Sequence, residues 1–431
     1  MRGGQPRLTQ ASISSGSGAV TLGDTVGYIG PALFLDDGRD RLLSYEARTG
    51  RCWLGTVNLN QLQWAEVGNL PFTLGARLPG AWVGSFLPQL PGQISQHGIL
   101  LYDTDRRDWW YGFLRRLEGT FGQLIWNFLG NTTGFGDLLD GRHLIRSGLF
   151  HPSPQDYFSS ILFNYVVDGN WFHGTVTPQS LDWRLVANTR GFGDLLDGRH
   201  IIVQAFFPWP SASVQERILF NYAEDGNWWL LGLSEDQRQL HWRSVGNTRG
   251  FGNIVDGRHL LVAGDFGPPR SVLYPDILLM NFWVDGNWFV GDWTNDGRDM
   301  LYWPPPLANT GGFGNLLDSR HGFWVGRFGT VTSHDTLLMY SSSDGDWWRI
   351  EYYWSTGPYR ARLNWQRLGN TRGFGNVFDG RHLFFTGQLI APGKDEIMFN
   401  YLNDGHWFLG YLPIGPSRIE WRQLSEAIVQ P

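Results

Sequence analysis

The chain has 431 residues, with 34 Lys and Arg against 40 Asp and Glu and a formal net charge of −6. That balance excludes the basic footprint of a nucleic-acid binder, because phosphate affinity comes from clustered Lys and Arg. One cysteine, Cys52, excludes an intrachain disulfide or a zinc centre of several thiolates, and no run approaches the roughly 20 apolar residues of a membrane helix.

The opening, MRGGQPRLTQASISSGSG, is polar and rich in Ser and Gly, so residues 1–17 are expected to be a flexible segment. It lacks the apolar core of a signal peptide, and an extracellular or released protein is the expectation. A repeat follows. An apolar run, a turn and an aromatic pair recur as RLLSYEARTGRCW (41–53), ILLYDTDRRDWW (99–110), ILFNYVVDGNWF (161–172), ILFNYAEDGNWW (218–229), ILLMNFWVDGNWF (277–289), LLMYSSSDGDWW (337–348) and IMFNYLNDGHWF (397–408). Their lead tryptophans run from Trp53 to Trp407, seven marks over six intervals with a mean period of 59 residues. Between them stands a second motif: NTTGFGDLLDGRH (131–143), NTRGFGDLLDGRH (188–200), NTRGFGNIVDGRH (247–259), NTGGFGNLLDSRH (309–321) and NTRGFGNVFDGRH (370–382).

Each period offers four short β runs, for example 199–207, 218–222, 228–233 and 240–245, joined by Gly, Pro, Asp and Asn turns. Units too small to bury their own faces, repeated seven times, predict an all-β, seven-bladed β-propeller with four antiparallel strands per blade over 18–431. The blades are expected near 26–67, 78–129, 137–187, 194–246, 253–308, 315–369 and 376–424. Segment 18–34 would hold the first inner strand and 418–423 the last outer strand, with no clear strand exchange. Strands that run up and down place the NTRGFG…DGRH link and the DGNWW turn on one face. The variable links, such as 207–217, 264–276 and 388–396, fall on the other.

The order (G/A)NTxGFG…DGRH, apolar strand, DGxWW, LxWR resembles the seven-bladed propeller lectins of the PVL and PLL type, whose repeats are FG-GAP/VCBS-like. The resemblance is strong over 130–424 and weaker over 28–129. It implies sugar sites between adjacent blades, with fucose- or GlcNAc-type ligands. Relatives often carry an Asp-rich calcium loop; here Gly264-Asp265-Phe266 and Asp36-Asp37-Gly38 lack the full set of carboxylates, so calcium is not expected.

A pyranose presents a hydroxylated rim and apolar faces, which suit Asp, Asn, Arg and an aromatic ring. The candidate sugar contacts are Asn188, Arg190, Asp197, Arg199 and His200 with Trp228 or Trp229 as platform, then Asn247, Arg249, Asp256, Arg258, His259 and Trp288. The other copies add Asn370, Arg372, Asp379, Arg381, His382 and Trp407, and Asp140, Arg142, His143 and Trp171. The structural reading competes at every position: Asn188 and Thr189 cap a turn, Gly191 and Gly193 permit close approach, Phe192 plugs between blades, and Asp197–Arg199 is a fixed pair. The repeated histidines begin inner strands too far apart to share one metal ion, so no metal and no cofactor are expected. The copy at 309–321, with Gly311 and Ser319, should be the weakest site.

The expectation is therefore a multivalent, non-catalytic carbohydrate-binding lectin, with glycans or glycoconjugates as partners, no nucleic acid, no membrane insertion and homo-oligomerisation open. The alternatives are a protein-binding propeller scaffold and a glycosidase- or sialidase-like propeller enzyme. For the enzyme, SSSDGDWW resembles an Asp-box turn, and Glu351, Tyr352 and Tyr353 are the candidates for chemistry.

Overall fold

The computed structural model describes residues 26–32, 37–46, 48–73, 79–87, 97–115, 122–150, 158–208, 215–266, 276–294, 300–329, 334–353, 362–412 and 418–429. The expected flexible segment 1–17, and much of the variable links, lie outside these residues. Within them the chain is an all-β propeller, whose strands group into seven consecutive antiparallel meanders, called units 1–7 below. In unit 4 the strands His200–Ala205, Arg217–Tyr222, Asn227–Leu233 and Leu240–Asn247 pair in that order, on the four runs expected from the sequence. The first strands of neighbouring units approach one another, which places them innermost. Unit 5 departs at its outer edge. Two pieces, Leu301–Tyr302 and Ala308–Asn309, pair with Asn287–Trp293 on either side of Pro304, Pro305 and Pro306, which have no N–H to give a ladder.

The second strand of each unit reads as a continuous apolar run because both of its faces are covered. Ile218, Leu219 and Phe220 are all buried. The cores lie between units: Leu219, Trp228 and Leu230 of unit 4 pack with Leu278, Met280 and Trp293 of unit 5. Leu42, Val57 and Leu62 of unit 1 pack in the same way with Leu389, Met398 and Trp407 of unit 7, so the last unit meets the first.

Where a copy of the motif follows, the buried lead tryptophan finds there the partner for its one polar atom. Trp228 Nε1 donates to Thr248 Oγ1 at 3.0 Å, and the pairs Trp171–Thr189, Trp288–Thr310 and Trp347–Thr371 repeat the bond at 2.9 Å. A buried donor without an acceptor costs about 1–3 kcal/mol. Thr248→Val is therefore expected to lower stability by that amount and Thr248→Ser to restore most of it, read as the shift in denaturant midpoint.

A third repeat, which the sequence reading passed over, fastens the opposite face. A carboxylate ahead of the second strand of one unit accepts the backbone N–H at the end of the first strand of the unit before it. Phe206 N donates to Asp276 at 2.8 Å, Asp265 N to Asp335 at 2.9 Å, Arg327 N to Asp395 at 2.6 Å and Gln388 N to Asp40 at 2.7 Å. At three of these junctions the acidic residue's own N–H returns a bond to the same neighbour, as Asp40 N does to Gln388 O at 2.8 Å. The signal was an acidic residue just before each DILL- or DTLL-like run. The incomplete calcium loop at Asp265 is part of this fastening, with His334 Nδ1 3.1 Å from its Oδ1.

Ring closure differs from expectation. The last strand is Glu420–Val429, longer than the 418–423 segment assigned to it. Its first half completes unit 7 against His406–Tyr411, and Ser425–Val429 then pairs in parallel with Gln61–Ala65, the outer strand of unit 1. Two units thereby share one eight-stranded sheet.

Candidate ligand site between units 3 and 4

The two motifs meet on one face, as the topology required. Thr189 N donates to Gly169 O at 2.8 Å, and Asn188 Nδ2 donates to Asp168 O at 2.9 Å and Asn170 Oδ1 at 2.8 Å. Asn188 Oδ1 accepts the N–H of Arg190, which starts a single 3-10 turn. Gly169 sits at φ +76°, and a Cβ there would lie 2.4 Å from Arg190 N, so only glycine closes this knot. Units 4, 5 and 6 repeat it at Gly226, Gly286 and Gly345.

Most of the expected contact residues are spent on this scaffold, and several expectations are corrected. Trp171, Trp228 and Trp288 are 0% exposed and Trp407 is 2% exposed, so none is a platform for a ligand. A bulge in unit 4 follows Trp228, and Trp229, the other candidate, is the half-buried ring that packs edge-on to Phe192 at 5.1 Å. The imidazoles of His143, His200, His259 and His382 are at most 1% exposed and stack on Tyr165, Tyr222, Phe282 and Tyr401, out of reach of a bound molecule. The side chains of Asn188, Asn247 and Asn370 are consumed in the turn. Asp140, Asp197, Asp256 and Asp379 each hold the guanidinium two residues on, at Arg142, Arg199, Arg258 and Arg381. Burial opposes ionisation of Asp140, but its bonds from Arg142 and His143 win and hold it down at about 2.

Arg190, Arg249 and Arg372 are different. Their backbone N–H groups join the turn, while their exposed guanidinia have no hydrogen bond or ion pair among the described residues. Arg190 borders a half-open cavity of about 460 Å³ together with Phe192, Arg199, Tyr222, Asp225 and Trp229. The loop from unit 3 and the second and third strands of unit 4 build it. Arg199 Nε donates to Asp197 Oδ2 at 2.6 Å, and its Nη1 donates to Glu224 Oε1 at 2.8 Å. Asp225 accepts from Asn227 N and Nδ2, both at 2.8 Å. The cavity thus offers one unengaged cation, an aromatic wall and carboxylates that already have partners. Tyr222, Glu224 and Asp225 were not singled out in the sequence because Asp225 looks like every other turn Asp and Glu224 occurs once. The enzyme candidates stand apart in unit 6, where Tyr353 Oη donates to Glu351 Oε2 at 2.6 Å and Arg349 Nε lies 3.0 Å from Glu351.

No protein-family model and no curated sequence matches the chain. Among solved structures, a protein from Lactobacillus plantarum is 7% identical, with a TM-score of 0.36 over 86% of this chain and 94% of its own. A candidate 6-phosphogluconolactonase from Bacteroides uniformis is 9% identical, with a TM-score of 0.34 over 92% of this chain and 94% of its own. Another from Bacteroides fragilis is 10% identical, with a TM-score of 0.32 over 93% of this chain and 99% of its own. The likeness is one of fold. Against the expectation of a non-catalytic lectin, two of these three structures are described as candidate 6-phosphogluconolactonases and no lectin family model matches the chain. The physical reason is that the residues that suggested sugar contact tie the turns, so they report the scaffold. The ranking of five sugar sites falls with that reading. Among the described residues no group of His, Cys, Asp and Glu is placed to hold a metal ion, and no helix is long and apolar enough to cross a membrane.

Proposed function

We propose that the cavity between units 3 and 4 binds a small organic anion with an apolar body, its acid group held by Arg190. The observation that carries this is the unengaged guanidinium of Arg190 beside Phe192, Tyr222 and Trp229. A guanidinium offers a planar fork of donors that matches carboxylate or phosphate, and aromatic faces cover an apolar body. No neighbouring carboxylate pairs with it among the described residues: Asp197 and Glu224 bond Arg199, and Asp225 bonds its own turn. The likeness of the repeats to PVL- and PLL-type propellers is taken as a likeness of scaffold, carried by the turn knot and the buried tryptophans.

The test is calorimetric titration with 3-phenylpropionate and with 6-phosphogluconate. A half-open site leaves little surplus after ordering costs, so dissociation constants of roughly 10 μM to 1 mM are expected. Arg190→Ala removes a charged hydrogen-bond donor worth about 1.5–3 kcal/mol and should weaken binding ten-fold or more. Absence of binding, or binding indifferent to Arg190→Ala, overturns the reading. The propeller-enzyme alternative attaches to the same cavity: hydrolysis of a lactone or phosphate ester that is lost in Arg190→Ala would make the bound anion a substrate.

A further inference from the structure

Repetition makes departures from it informative. Two residues before the turn glycine, units 3 to 7 carry Val167, Glu224, Val284, Ser343 and Asn403. Only unit 4 has an acid there. Glu224 is 57% exposed at its side chain, and its Oε1 accepts from Arg199 Nη1 at 2.8 Å. The same Nη1 lies 3.4 Å from Tyr222 Oη, and Asp197 already holds Nε of this guanidinium. Arg142, Arg258 and Arg320 each have one carboxylate partner among the described residues, and Arg381 has Asp379 with Tyr401 Oη. Arg199 has two. One guanidinium between two carboxylates leaves a negative charge in excess beside Arg199 and Tyr222, which line the cavity that the unpaired Arg190 borders. Bonds from Tyr222, then Arg199, hold the Glu224 carboxyl below its ordinary range, so the excess charge persists at neutral pH. Exposed ion pairs are weak, so Arg199 does not exhaust Glu224's capacity to accept.

We infer that this cavity takes a small zwitterion, its acid group on Arg190 and an ammonium on the free acceptor sites of Glu224, with an aromatic or apolar body against Tyr222 and Trp229. The inference rests on the anion-binding reading above and names the ligand class within it. A lone anion would meet the excess charge of Glu224 as a repulsion, and an ammonium turns that repulsion into an attraction. Unit 7 offers the control within the same chain: Asn403, which donates to Tyr401 Oη at 2.9 Å, replaces the acid, so the junction ahead of unit 7 lacks this preference.

Three probes that share one ring separate the possibilities: phenylalanine with both charges, 3-phenylpropionate with the acid alone, and phenethylamine with the ammonium alone. Calorimetry on the full chain should show phenylalanine binding at least ten-fold more tightly than either of the others. Glu224→Val, the residue found in units 3 and 5, should abolish the advantage of phenylalanine over 3-phenylpropionate while 3-phenylpropionate still binds. Equal binding of phenylalanine and 3-phenylpropionate to the unaltered chain, or an advantage that survives Glu224→Val, overturns the inference and leaves the anion-binding reading standing. Failure of phenylalanine and 3-phenylpropionate alike to bind overturns both. Circular dichroism of the Glu224→Val chain, expected to be unchanged for an exposed side chain, separates lost preference from lost fold.

Discussion

Replacing Trp228 by alanine is expected to lower stability by about 3–5 kcal/mol, the range for truncating a large buried aromatic. The ring is wholly buried, packs with Leu219, Leu278 and Met280 across the junction of units 4 and 5, and lies 6.2 Å from Trp303. Its removal also takes one donor from the Thr248 hydroxyl, which still ties the motif to the preceding turn by donating to Gly226 O at 3.3 Å. Trp229→Ala is the comparison. That ring faces the other neighbour and is half-buried, so a loss of about 1–2 kcal/mol is expected from the smaller area it covers. Denaturant midpoints of the two variants decide the matter; equal losses would contradict the assignment of one tryptophan to the core and the other to the cavity wall.

The second large effect is on pH dependence. Burial pushes Glu396 up to about 8, against backbone bonds from Ile390 and Leu389 that favour its anion. Burial likewise raises the adjacent Asp395 to about 6, and raises Asp40. A carboxyl whose folded value exceeds its unfolded value favours folding while protonated. Its contribution is therefore complete below the unfolded value of 4.5 for Glu396 and is lost as pH rises through about 8. The unaltered chain should become less stable between pH 6 and pH 9 relative to Glu396→Gln, which cannot ionise and still presents an oxygen to Leu389 N. One pKa unit corresponds to about 1.4 kcal/mol, and about two such units fall within this window, so the difference between the two chains should change by about 3 kcal/mol. Comparing chains at each pH cancels the buried histidines, His200, His259 and His382, whose values burial lowers equally in both. Parallel unfolding profiles for the two chains would remove Glu396 as the cause.

The fold was legible because its signals are redundant. The 59-residue spacing of tryptophans, the apolar second strands and the glycine turns each point to the same four-stranded unit, and agreement between levels is what specifies a fold. The site was much less legible, for a related reason. Asn188, His200 and Trp228 recur because the turns and junctions need them, so repetition marked the scaffold and was misread as function. Arg190 was named as a sugar contact together with Arg199, and nothing in the sequence context separates the two; that distinction needs the position of Asp197 and Glu224. Glu224 was invisible because a single acid in a variable turn position looks like an ordinary solvated residue. The carboxylate fastening at Asp40, Asp276, Asp335 and Asp395 was legible in principle and overlooked, since an acid before an apolar run resembles a loop residue.

The parallel pairing of Ser425–Val429 on Gln61–Ala65 bears on how the chain emerges and assembles. Ser425 Oγ donates to Asn60 O across 365 positions of sequence. Until that late segment is made, the outer strand of unit 1 presents a row of unpaired N–H and C=O groups, the kind of edge on which other chains add strands and aggregate. Contacts of such separation also form slowly, because the loop they close must first be brought together. The first unit synthesised is therefore the last to be covered, which makes the outer strand of unit 1 the point where crowding of nascent chains would do most harm and where a chaperone would most usefully bind.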